Sequence, residues 1–173
     1  VCNTIRALVQ VGCLRGCIAD AWVKKLAEEE LVAKTRRKAE SGDAASTWQL
    51  GKWYDFGEMG LEQDDQLAFH WYSRGAKIGD TSSMVNLACC YEFGQGTWQS
   101  NVLAVFYYTR AAHAGSQIAC YNLANSFWFG ELGFDRDVEQ AKIWYERLED
   151  CAVDALDPPL LEKARARLLG RIL

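Results

Sequence analysis

The side chains best suited to covalent, redox or metal chemistry in this chain are seven cysteines and two histidines. The cysteines are Cys2, Cys13, Cys17, Cys89, Cys90, Cys120 and Cys151. A thiol nucleophile, a disulfide exchanger or a zinc site would draw on such residues. Their spacing favours none of these. No C-x-x-C occurs, the count is odd, and only His70 and His113 could add imidazole ligands. Cys13 and Cys17 lie one helical turn apart, a spacing some metal sites use, but two further ligands are missing nearby. Adjacent Cys89 and Cys90 point to different sides of a helix, which argues against a reactive dithiol. The expected state is reduced thiols used as small core residues, with a disulfide-bearing secreted form as the alternative. No metal and no cofactor are expected. Neither GxGxxG, a P-loop, HExxH nor GxSxG occurs. A thiol-redox or hydrolytic enzyme using the cysteines is the alternative to a non-catalytic protein.

Composition narrows the partners. Half the residues are apolar and 24% are charged, the balance of an ordinary soluble domain. The 173 residues are enough for one domain with a real core. Net charge is −4 and no basic block stands out, so nucleic acid is not expected as a partner. No apolar run approaches membrane-spanning length, so no membrane insertion is expected. Arg6 and Arg15 interrupt the apolar start, which does not read as a signal peptide. The first residue, Val1, suggests an excerpt or a processed product. A cytoplasmic location is favoured; a secreted or lumenal one would need a signal peptide before Val1.

The elements that would position any site repeat themselves. Gly42, Gly79 and Gly115 each start a unit. Eight residues later stand Leu50, Leu87 and Leu123, then Tyr54, Tyr91 and Phe127, then Gly57, Gly94 and Gly130. Ala68, Ala104 and Ala141 follow, and then the pairs Trp71-Tyr72, Tyr107-Tyr108 and Trp144-Tyr145. Each pair has an arginine two places on: Arg74, Arg110 or Arg147. A period of 36 to 37 residues marks a solenoid of supersecondary units.

Spacing predicts two helices per unit. Ser46, Leu50 and Tyr54 fall four apart on one helical face, as do Ser83, Leu87 and Tyr91, and Ala119, Leu123 and Phe127. Asp43, Asp80 and Ser116 can cap these first helices, and the glycines at 57, 94 and 130 can close them. Asp64, Ser100 and Asp137 can cap the second helices, with Asp137 and Gln140 spaced as a capping box. The recurring aromatic pairs are expected in the core. The arginine row is expected to be solvated or paired with acids.

Both ends depart from the pattern. Residues 1–41 read as an N-terminal helical cap, with residues 27–41 a degenerate second helix in which Lys34 and Thr35 replace the aromatic pair. Trp22, Val23, Leu26 and Ala27 would form its apolar side. Units at 42–78, 79–114 and 115–151 follow. Residues 152–173 read as a capping helix, started by Asp157-Pro158-Pro159 and carrying Leu160, Leu161, Ala164, Leu168 and Ile172 on one side.

These residues resemble the Sel-1-like repeat, a relative of the tetratricopeptide repeat. Unit one carries Gly42, Leu50-Gly51, Tyr54, Gly57, Gly60, Ala68, Trp71-Tyr72, Ala76 and Gly79. Unit two carries Leu87-Ala88, Tyr91, Gly94, Gly96, Ala104, Tyr107-Tyr108 and Ala111-Ala112. Unit three carries Ala119, Leu123-Ala124, Phe127, Gly130, Gly133, Ala141 and Trp144-Tyr145. The match runs over about residues 38–150. The resemblance implies an all-α, right-handed α/α solenoid of helix-turn-helix repeats with helical caps at both ends. It also implies a scaffold or adaptor that binds another protein or a peptide. Monomer is favoured, and a self-assembling structural solenoid is a further alternative.

In related solenoids the first helices line a concave, segment-binding face. Carried over by position, the partner-binding candidates are Trp48, Lys52, Asp55, Val85, Cys89, Glu92, Tyr121, Asn125 and Trp128. Trp48, Tyr121 and Trp128 differ in type from their counterparts, which favours a role in recognition. Phe56, Phe93 and Phe129 recur in all three units and are therefore expected in the core. Asn86 and Asn122 are expected to bond locally between units.

Overall fold

The computed structural model describes residues 17–151 and 158–169. Among the described residues there are eight α-helices, one 3-10 helix and no strand. The helices are α1 (Cys17–Glu40), α2 (Ala44–Phe56), α3 (Asp65–Lys77), α4 (Thr81–Phe93), α5 (Asn101–His113), α6 (Gln117–Phe129), α7 (Val138–Glu146) and α8 (Pro158–Leu168). The 3-10 turn, Arg147–Asp150, extends α7. Each helix packs chiefly on its neighbours in chain order, and α2 also meets α4 in the next unit. That is the contact pattern of a solenoid.

Local chemistry sets the helix ends. Asp43, Asp80 and Ser116 accept hydrogen bonds from the backbone N–H groups of Ser46, Ser83 and Ala119, which satisfies a donor the first turn leaves open. Gly57, Gly94 and Gly130 close the same helices in the left-handed region, at φ of 66°, 71° and 74°. One further backbone bond then fixes where each second helix starts. The N–H groups of Asp64, Ser100 and Asp137 donate to the carbonyls of Tyr54, Tyr91 and Phe127, at 2.8 to 2.9 Å. Asp137 accepts from the N–H groups of Glu139 and Gln140, but its own N–H goes to Phe127, so the reciprocal half of the expected capping box is replaced by a tie to α6.

The core is the repeating set. Leu50, Leu87 and Leu123 are at most 1% exposed, and Ala68, Ala104 and Ala141 are equally buried. Tyr72, Tyr108 and Tyr145 pack fully beside them. Burying each such leucine contributes about 1.5–3 kcal/mol, so the repeated positions dominate stability. Helices approach closely at Gly51, where an added Cβ would lie 2.5 Å from the Tyr72 ring.

The ends differ in detail from expectation. The N-terminal region continues as one helix to Glu40, and the Asp43 N–H donates to the Lys38 carbonyl as Asp80 does to Gly75 and Ser116 to Ala111. So α1 ends as a second helix ends. Its buried side is Leu26, Val32, Thr35 and Ala39; Trp22 and Val23, expected on the apolar side, are exposed. At the other end, α8 docks on α7 through Ala164 with Leu161 and Leu168. Leu160 is exposed and Arg167 is buried, an inversion of the expected pattern. The proposed cap at Asp157 and the apolar Ile172 lie outside the described residues.

Candidate functional site

Three positions on each first helix, counted from its buried leucine, build one face. The second position holds Lys52, Cys89 and Asn125, the fifth Asp55, Glu92 and Trp128, and the sixth Phe56, Phe93 and Phe129. Beneath them, the tyrosine of each second helix points its hydroxyl outward through the core. Tyr72 donates to Asp55 at 3.1 Å, and Tyr108 donates to Glu92 at 2.8 Å and also touches the Cys89 sulfur at 3.0 Å. In unit three the fifth position is Trp128, and Tyr145 donates instead to Asn125 at 2.6 Å.

Two depressions open on this face. One, of about 390 Å³, lies between α2 and α4 and is lined by Trp48, Lys52, Asp55, Phe56, Asn86 and Cys89, among others. The second, of about 300 Å³, lies between α4 and α6 and is lined by Cys89, Glu92, Phe93, Asn122, Asn125 and Glu131, among others. Cys89 belongs to both, so the depressions form a line across all three first helices. Six of the nine sequence candidates therefore come together here: Trp48, Lys52, Asp55, Cys89, Glu92 and Asn125.

The other three do not. Val85, Tyr121 and Trp128 are buried in the core, with the rings of Tyr121 and Trp128 each 6.2 Å from that of Tyr145. The difference in type of Tyr121 and Trp128 from their counterparts goes with their packing around Tyr145 in unit three. The phenylalanines correct the opposite expectation. Phe56, Phe93 and Phe129 are 64%, 66% and 53% exposed, not core, because the sixth position lies beyond the buried arc of the helix.

Burial shapes the electrostatics. Partial burial raises the pKa values of Asp55 and Glu92, and the tyrosine hydroxyls offset this in part. Glu131 adds to the rise at Glu92. Among the described residues no cation pairs with either carboxylate; Lys52 instead lies 3.8 Å from Glu58. The vicinal thiols are unsuited to nucleophilic work. Burial raises the Cys89 pKa and pushes that of Cys90 up to about 12, the reverse of an activated thiolate. No group of three His, Cys, Asp or Glu residues suited to a metal occurs among the described residues, and no described helix is long and apolar enough to cross a membrane.

One residue matters that sequence spacing did not single out. Arg167 of α8 is 5% exposed and crosses to the end of this face. Its guanidinium donates to Asn125 and, at 2.8 Å, to the Tyr145 hydroxyl, with its centre 4.9 Å from the Phe129 ring. It lies outside the repeats, so no periodic signal marks it. Asn86, expected to bond locally between units, lies beside the Tyr72 hydroxyl of the preceding unit and also lines the α2–α4 depression. The arginine row also differs from expectation. Arg74 and Arg147 stack over Trp71 and Trp144 at 5.0 and 5.5 Å, and Arg74 donates to the carbonyls closing α1 rather than to an acid.

Comparison with known proteins identifies the repeats. The Sel1 repeat family model matches residues 44–80, 81–116 and 117–150. A crystal structure of a Sel1 repeat protein from Oxalobacter formigenes is similar, with 30% identity, a TM-score of 0.66, and coverage of 70% of this chain and 49% of that one. A protective antigen of uropathogenic Escherichia coli strains, displaying an SLR fold, matches at 19% identity and a TM-score of 0.36, over 90% of this chain and 45% of that one. The chain thus spans about half the length of these solved relatives. No curated protein matches it. The three matched segments coincide with the helix pairs described above, and the chain belongs to the Sel1 repeat family.

Proposed function

We propose that this chain is a non-catalytic scaffold module that holds a segment of another protein on the face built by α2, α4 and α6, the concave side of the solenoid. Protein–protein interaction is the general role of Sel1 repeats. The observation that carries the choice of face is the exposed phenylalanine at one position in all three units. A bulky ring kept in water three times, beside a line of depressions, is surface available for burial by a partner. Half-buried Trp48 extends the apolar area at one end. Asn86 and Asn122 supply amide groups that can bond an extended backbone.

The test is capture of partners from the native organism with the intact chain and with Trp48→Ala and Phe56→Ser plus Phe93→Ser variants. Loss of specific partners from the phenylalanine variant, with its fold intact by circular dichroism, is the expected result. Partners retained in both variants would place binding elsewhere.

A further inference from the structure

Unit three displays what units one and two lack. There, the groove position beside the second-helix tyrosine is filled by the chain's own Arg167, which donates to Tyr145 and Asn125 and lies over Phe129. Arg167 is buried, and its Nε finds no hydrogen-bond partner among the described residues. Units one and two repeat the same frame. Tyr72 and Tyr108 stand in the place of Tyr145, and Phe56 and Phe93 in the place of Phe129. Two things change: the fifth position carries Asp55 and Glu92, each holding the tyrosine hydroxyl, where unit three has Trp128, and the second position carries Lys52 and Cys89 where unit three has Asn125, an acceptor for Arg167. The frame that accepts a guanidinium in unit three thus gains a negative charge in units one and two, and its phenylalanine rings are more exposed.

We infer that the partner segment presents arginine side chains to units one and two, in the manner of Arg167 in unit three. This rests on the segment-binding role proposed above and specifies its chemistry. A guanidinium is planar, so it can lie flat on a phenylalanine ring and fork toward a carboxylate at once; an ammonium is a compact, strongly hydrated point charge with neither the flat face nor the fork. Unit two is the principal subsite. Its depression is lined by Glu92 and Glu131, with Arg167 held on Asn125 at its far rim, whereas Lys52 shares the unit-one depression with Asp55. Charge complementarity therefore favours a basic segment over an acidic one, and the exposed rings favour arginine over lysine.

Short capped peptides of arginine and glycine, with lysine and citrulline versions of the same sequence, are the probes. Calorimetry on the full chain should give binding by the arginine peptide about tenfold tighter than by its citrulline counterpart, and tighter than by the lysine one. Glu92→Gln, which keeps an acceptor for Tyr108, should remove most of that advantage. Phe93→Ser, at an exposed position, should remove the preference for arginine over lysine. Glu62→Gln, a carboxylate exposed on the loop after α2, should change nothing.

Equal binding of arginine and citrulline peptides would overturn the inference. So would an equal effect of Glu62→Gln, which would mean general attraction to an acidic protein, or lysine binding as tightly as arginine. A natural partner lost on Phe93→Ser but indifferent to Glu92→Gln would overturn the arginine assignment and leave the segment-binding role standing.

Discussion

The Tyr108 hydroxyl reaches from the core of unit two to the Glu92 carboxylate at 2.8 Å, so a buried ring and a groove-lining acid share one hydrogen bond. Packing and surface are thereby linked: the tyrosine that holds α5 against α4 also sets the orientation of the acid. The same relationship joins Tyr72 to Asp55 in unit one.

Removing that hydroxyl should be felt in stability. Tyr108→Phe leaves the Glu92 and Cys89 groups without their partner and should lower the unfolding free energy by about 1–2 kcal/mol. Urea unfolding followed by circular dichroism measures it. An unchanged midpoint would mean that water replaces the hydroxyl without cost.

The raised pKa values of Asp55 and Glu92 give a pH signature. Their folded values lie above the ordinary 3.8 and 4.5, so the folded state takes up protons more readily than the unfolded chain. The associated stability is present below the ordinary values and is lost as pH rises through the folded ones. An Asp55→Asn plus Glu92→Gln variant lacks this loss. Its melting temperature should therefore rise relative to the native chain as pH is raised from the ordinary carboxylate range to neutrality. A constant difference across that range would contradict the burial of these groups.

Buried and exposed rings should separate cleanly. Trp128, 6% exposed, is core, so Trp128→Ala should lower stability by about 3–5 kcal/mol. Phe93, 66% exposed, is not, so Phe93→Ser should change it by no more than about 0.5 kcal/mol. Thermal melts of the two variants suffice. Similar losses in both would mean that the phenylalanine row packs in the core.

Gly51 tests the close approach of α2 and α3. Its counterparts are Ala88 and Ala124, yet a Cβ at Gly51 would meet the Tyr72 ring at 2.5 Å. Gly51→Ala should therefore cost about 1–3 kcal/mol, despite the higher helix propensity of alanine. A stabilised variant would show that the ring can move aside.

Most of the fold was legible because each unit solves one packing problem with one set of residues. The caps at Asp43, Asp80 and Ser116 and the closing glycines follow directly from that set. The site was half legible. Repetition marks a position as constrained but does not say whether it faces core or water, so Phe56, Phe93 and Phe129 read as core and are exposed. Deviation from the repeat misled in turn at Trp128, whose ring is covered by Arg167 from a helix outside the repeats. A contact between residues 128 and 167 leaves no trace in local spacing. Arg74 was read as a solvated or acid-paired charge, but the flat Trp71 ring beneath it offers a better seat.

The most direct measurement compares two exposed phenylalanines on opposite helices of unit two, Phe93 on α4 and Phe106 on α5. The dissociation constant of a captured partner segment is determined for the native chain, Phe93→Ser and Phe106→Ser. Binding on the first-helix face predicts a loss of about tenfold or more with Phe93→Ser and little change with Phe106→Ser. A loss confined to Phe106→Ser would contradict the account and put the partner on the second helices.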